Sequence, residues 1–238
     1  MADFETIIYE KQDGIGYVTL NRLKALNVYN IKMRDELFQV LEAIRDDAEV
    51  RVVIFRANGE KAFCAGADLS EFLTAPPPVF ARQVRWERDI WGLFLSLTQP
   101  LIVALHGYVL GSGIEIALCC DVRIAADDAK FGLPEVGLGI IPAAGGTQTL
   151  PRTIGNAKSL EMLLTGRWLN AQEARRFKLV NRVVSRAELW PATDELARKI
   201  TGYSPEAVYC AKRAVTQGMD LSLAEGLALE SRLSHLLV

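Results

Sequence analysis

Apolar positions fall along this chain in short runs that switch between a two-residue and a helical period. Residues 6–10 and 16–20 read as a hairpin around Asp13-Gly14. Over 31–50, Leu37, Val40, Leu41, Ile44 and Ala48 recur on one face and predict a helix. A strand over 51–57 follows, and strand–helix–strand order points to parallel pairing. Pro76-Pro77-Pro78 marks a loop before a helix predicted over 79–98. Phe80, Val84, Trp91 and Leu95 form one stripe of it, and Trp86, Ile90, Leu93 and Leu97 another, so it expects burial on two sides. Later come a strand over 121–125, the Asp127-Asp128 turn and a helix from Gly145-Gly146 through Leu150. Asn156 and Gly166 bracket a helix with Leu160, Leu163 and Leu164 on one side. Asn170 with Glu173 fits a capping box, and 180–184 reads as a last short strand. Helices are predicted over 191–201, 204–217 and from Ser222 onward; Ser204-Pro205 and Ser222 with Glu225 are good starts.

One stretch departs from ordinary patterning. Residues 101–120, LIVALHGYVLGSGIEIALCC, open as an apolar strand, break at Gly107 and restart at Gly111-Ser112-Gly113 as a short helix. Glu115 is the one charged side chain in it. Residues 131–151, FGLPEVGLGIIPAAGGTQTLP, likewise carry Glu135 as their one charge. An unpaired carboxylate among apolar neighbours costs several kcal/mol unless it is protonated or hydrogen-bonded. Two such groups suggest an acid/base pair with shifted pKa values. The local alternatives are an ion pair between Glu115 and Arg123, and a turn glutamate after Pro134. Gly111 and Gly113 allow close backbone approach at a helix start, where free N–H groups can stabilise an oxyanion. A glycine turn kept for packing alone is the simpler reading of that motif.

Composition narrows the class. The 238 residues are 50% apolar and 24% charged, ordinary for a globular chain. A net charge of -2 argues against a nucleic-acid surface. Cys64, Cys119, Cys120 and Cys210 form no disulfide framework, and His106 and His235 complete no zinc spacing. Cys64 has no candidate base beside it and reads as a packing residue. The charged start, MADFETIIYEKQDG, carries no secretory signal, and the glycines and Glu115 within 101–120 argue for a buried core run over a membrane span. A cytoplasmic location is expected, although a mature mitochondrial chain would read the same.

The run HGYVLGSGIEIALCCDVRIAADDAKFGLPEVGLGIIPAAGGTQTLPR closely resembles the signature of the enoyl-CoA hydratase/isomerase (crotonase) family, and FCAGADL at 63–69 resembles its other oxyanion-hole segment. The likeness extends over nearly the whole chain. It implies an α/β fold: a crotonase-like spiral of ββα units over 1–190 carrying the coenzyme A and active sites, then a C-terminal helical oligomerisation region over 191–238. Family chains usually continue further, so truncation there is expected. The resemblance assigns oxyanion N–H groups to Ala67 and Ser112, where the family often has Gly at the latter. It assigns proton delivery to Glu135 and water activation to Glu115. Lys24, Ala25 and Leu26 would lie along coenzyme A, in a turn where Leu23 replaces the family's usual Pro. Ala65, Gly66, Ala67, Asp68, Leu69, Gly111 and Ser112 would line the substrate, with Asp68 more a helix cap than a catalyst.

With both acids present, the resemblance implies enoyl-CoA hydration without metal or redox cofactor, coenzyme A being part of the substrate. An enoyl-CoA isomerase or a cyclic dienoyl-CoA hydratase is the alternative. A branch of the family binds RNA through a lysine-rich first helix, but 31–50 has Lys32 as its single lysine. The expected partners are an acyl-CoA and further copies in a trimer or hexamer, with no nucleic acid and no membrane.

Overall fold

The computed structural model describes residues 4–74 and 88–237. Strands β1 (Ile7–Gln12) and β2 (Ile15–Leu20) form the expected hairpin. Next come β3 (Val52–Ala57), β5 (Leu101–Leu105), β7 (Val122–Ala126) and β10 (Arg182–Val184), each parallel to its neighbour, in the order β1-β2-β3-β5-β7-β10. A second sheet holds β4 (Ala62–Cys64), β6 (Tyr108–Leu110), β8 (Lys130–Gly132) and β9 (Leu169–Asn170). Successive strands therefore alternate between sheets: β3 then β4, β5 then β6, β7 then β8. Each pair is followed by a helix, which makes the ββα spiral. Strand β5 is buried at every position, as suits a strand covered on both faces.

Helix α1 (Ile31–Asp46) is capped by the Asn30 side chain, which accepts from Met33 N at 2.9 Å. It ends before the predicted 50 because Asp47 is already extended, so Ala48 leaves the stripe. Of the helix expected over 79–98, α2 (Ile90–Ser96) is observed; Phe80, Val84 and Trp86 lie outside the described residues. Helix α3 (Ser112–Cys119) is buried throughout. Helix α4 (Gly146–Ile154) runs past Leu150 and through Pro151, where a stop was expected. In α5 (Asn156–Thr165) the buried positions are Ser159 and Met162, while Leu160 and Leu164 face outward. The last strand begins at Arg182, not at 180.

The short helix α6 (Ala171–Arg176) starts with the predicted Asn170–Glu173 capping box. Helices α7 (Leu189–Thr201), α8 (Pro205–Gly218) and α9 (Leu223–Ser234) follow, the last two capped by Ser204 and Ser222. Helix α7 straddles the boundary expected at 190. Its Leu189 and Ala197 pack against Ile15, Val52, Ile102 and Ile124 on one face of the large sheet. The larger core fills the other face, between that sheet, α1, α3 and the small sheet. Cys64, Cys119 and Cys120 are buried and free, and Cys210 is half-buried. No helix among the described residues is long and apolar enough to cross a membrane.

Candidate active site

Two backbone segments meet at the end of the small sheet. After β4 the chain pairs with the turn ahead of α1: Tyr29 N donates to Gly66 O, and Asp68 N donates to Tyr29 O, both at 2.8 Å. Parallel pairing of this kind leaves the amide of the residue between, Ala67, outside the ladder. The second segment is the β6–α3 junction. Gly111 has a φ of +50°, which side-chain-bearing residues avoid, and Ser112 opens the helix. At Gly113 the helix lies against β4 so closely that a Cβ would stand 2.5 Å from Cys64 O. The two glycines thus bring the first turn of α3 beside Ala67.

Glu115 follows on α3, 3% exposed. Its Oε1 accepts from Ala144 N at 2.9 Å and Gly146 N at 3.0 Å. Burial pushes its carboxyl up to about 7; the two amides pull it back, and the nearby Glu135 charge adds to the rise. Glu135 begins a short 3-10 turn behind Pro134. Burial raises its pKa too, and its Oε2 is sealed from solvent with no partner among the described residues. A Cβ placed on Gly111 would lie 2.9 Å from Glu135 Oε1 and 3.2 Å from Gly66 Cα. Both acids, Ala67, Asp68 and Ser112 line one cavity of about 1090 Å³.

The ion pair offered as the local alternative for Glu115 does not form among the described residues. Arg123 is spent on carbonyls, its Nε donating to Leu179 O at 2.7 Å and its Nη1 to Cys120 O at 2.6 Å. Glu135 is indeed a turn residue, yet its carboxyl faces Gly111. Asp68 pairs with Arg22 at 2.7 Å and accepts from Ser70 N at the following turn, as a capping residue would. Cys64 is buried and its thiol is pushed up to about 12 by that burial, so it is no nucleophile at neutral pH.

Other expected residues lie outside the cavity wall. Lys24, Ala25 and Leu26 form an outer turn, in which Lys24 and Leu26 are exposed. This turn reaches the site through Ala65 N, which donates to Leu26 O at 3.1 Å. Leu69 is exposed, and Ala65, Gly66 and Gly111 back the lining residues. Three participants escaped the sequence reading: the amides of Ala144 and Gly146, and the side chain of Tyr29, which also lines the cavity. The Gly145-Gly146 pair was the one available signal for the amides. Among the described residues no three His, Cys, Asp or Glu side chains gather into a set able to hold a metal ion.

The chain matches the enoyl-CoA hydratase/isomerase family over residues 10–237. It belongs to that family. It is 40% identical over 229 residues to a short-chain-enoyl-CoA hydratase of Clostridium acetobutylicum, covering 96% of this chain and 88% of that one. It is 38% identical over 229 residues to a crotonyl-CoA hydratase of Syntrophomonas wolfei, with the same coverage of both chains. A crystal structure of an enoyl-CoA hydratase from Bacillus anthracis superposes with a TM-score of 0.92 at 39% identity, over 97% of this chain and 90% of that one. The enoyl-CoA hydratase/isomerase family thus accounts for both the spiral and the order of its motifs.

Proposed function

We propose that this protein is an enoyl-CoA hydratase, adding water reversibly and syn across a 2-enoyl-CoA thioester to give the 3-hydroxyacyl-CoA. One observation carries the reading: two carboxyls with raised pKa values, Glu115 buried and Glu135 half-buried, share a cavity with two backbone segments suited to hold a carbonyl oxygen. The thioester oxygen accepts from Ala67 N and Ser112 N; a donor of this type lowers a barrier by about 2.7–4 kcal/mol. Those bonds draw charge from the double bond and stabilise the enolate-like state. Glu115, ionised, takes a proton from water as the water oxygen bonds to Cβ. Glu135, protonated, gives its proton to Cα. Glu115 Oε1 is committed to two amides, so Oε2 is the oxygen left for the water. The pair exchanges roles in the reverse direction, and coenzyme A leaves with the product.

In this reading residues 1–190 carry the catalytic spiral and 191–238 serve contacts between copies, as a trimer or hexamer in the cytoplasm. Exposed Leu160, Leu164, Val215, Met219, Leu223 and Leu227 support a covered helical surface. Lys24, Ala25 and Leu26 border coenzyme A.

The test is hydration of crotonyl-CoA, followed by loss of the enoyl thioester absorbance. Glu115→Gln and Glu135→Gln, made separately, should each lower kcat by about 10²–10⁴-fold. Full activity in either variant overturns the assignment. Inertness toward crotonyl-CoA with turnover of a 3-enoyl or cyclic dienoyl thioester overturns the choice of reaction.

A further inference from the structure

Tyr29 belongs to the site in a way that its backbone does not explain. Its main chain brackets Ala67, bonding Gly66 O on one side and Asp68 N on the other. Its ring meets Trp91 at 5.8 Å; Trp91 stacks on Phe94 at 6.3 Å, and Phe94 packs on Phe55 at 5.1 Å. Phe55 and Phe94 are fully buried, so the row is anchored in the core. The phenol is thus held rigidly in the cavity wall that also contains Glu115. Its hydroxyl is sealed from bulk solvent and has no partner among the described residues. The titratable groups that reach it are Arg34, Asp35, Glu115 and Cys64, the last held as a neutral thiol by burial. Arg34 is paired with Asp35 at 2.8 Å, and Asp35 with Arg88 at 2.8 Å. Glu115 keeps one oxygen for water.

A buried hydroxyl without a partner is costly, and such groups in native structures serve a bound water or a ligand. Water held for reaction needs more than one polar contact, because a single acceptor leaves it free to turn. We propose that the Tyr29 hydroxyl donates to the oxygen that Glu115 activates, and so positions the attacking water and the product's 3-hydroxyl. This rests on the assignment of Glu115 as the water-binding acid. Tyr29 keeps its proton throughout: the water proton goes to Glu115, the Cα proton comes from Glu135, and the new bond is Cβ–O. Burial raises the phenol pKa, which keeps it a donor at neutral pH.

Tyr29→Phe removes the oxygen and leaves the ring against Trp91. In the full-length protein, kcat for crotonyl-CoA should fall about tenfold while KM stays within about threefold. The second measurement is ligand binding in a Glu115→Gln background, where turnover is suppressed. Adding Tyr29→Phe there should weaken 3-hydroxybutyryl-CoA about five- to tenfold and leave butyryl-CoA, which lacks the 3-oxygen, unchanged. A general disturbance of the site would weaken both ligands equally and overturn the proposal, as would wild-type kcat in Tyr29→Phe. If Glu115→Gln alone retains full activity, the underlying assignment fails instead.

Discussion

The carboxyl of Glu135 occupies the space that a side chain at Gly111 would need: a Cβ there would come within 2.9 Å of Glu135 Oε1. The absence of a side chain at Gly111 therefore sets where the acid stands. Gly111→Ala would force that flexible carboxyl aside and also press on Gly66 Cα, at 3.2 Å. The φ of +50° adds strain of about 1–2 kcal/mol. Because displacement of a reacting group by about 1 Å can cost about 10²-fold, kcat should drop by that order while the chain still folds. Circular dichroism together with crotonyl-CoA kinetics checks this. Unchanged kcat would separate Glu135 from the reaction.

Glu115 makes stability depend on pH in a defined direction. Its folded pKa is about 7, against about 4.3 for an unfolded glutamate. Between those values the folded chain holds a proton that the unfolded chain has released. Stability therefore falls as pH rises through that window and stays at the lower level above it. Gln at this position still accepts from Ala144 and Gly146 but carries no charge. Glu115→Gln should thus be more stable than the parent at about pH 8, by on the order of 2 kcal/mol, and nearly equal to it at about pH 4. Urea denaturation at both pH values measures the difference. A constant gap between the two proteins would mean that the carboxyl is not raised.

The same pair should give a two-sided rate profile. In the proposed mechanism hydration requires one proton on the pair, placed on Glu135 with Glu115 ionised at the moment of reaction; because the Glu135 charge raises Glu115, the two titrate as a pair. A second proton stops it on the acid side, and loss of the last proton stops it on the alkaline side. Both groups are raised by burial, Glu115 to about 7, so the optimum lies above the ordinary carboxylate range. Measured from about pH 5 to about pH 9, kcat/KM should decline toward both ends. A flat profile would show that neither acid titrates in the reaction.

Much of this arrangement can be read in the residues because glycine, proline and isolated charges carry local information. Gly107 and Gly111 separate β5, β6 and α3 in the sequence as they do in space. Glu115 and Glu135 declare themselves by lacking charged neighbours in the chain. The sequence fails where a side chain's direction depends on distant packing. Leu160 and Leu164 have helical spacing, yet within a single chain they face outward and Met162 faces in. The α1 stripe continues to Ala48, but the chain turns extended at Asp47. Tyr29 looks like any aromatic beside a helix start; the role proposed for it depends on Trp91 and Glu115, far along the chain. The Ala144 and Gly146 amides have no side-chain signature at all.

Asn27 offers a test of how the outer turn is held to the site. It is 1% exposed and has a φ of +55°. Its Oδ1 accepts from Arg22 N at 2.8 Å, and its Nδ2 donates to Asn58 O at 2.9 Å and Ala62 O at 3.1 Å. One amide thus ties the 23–26 turn to the start of β4, two residues ahead of Cys64. Asn27→Ala would leave a donor and two carbonyls without this partner in a buried place, and would put alanine in the left-handed region. Destabilisation of about 2–4 kcal/mol is expected, since each buried group left unmatched costs about 1–3 kcal/mol. Asn27→Asp keeps the acceptor for Arg22 N but sets a carboxylate against the carbonyls of Asn58 and Ala62, so it should rescue little. If both variants denature with the parent's midpoint, the turn is not anchored through this side chain.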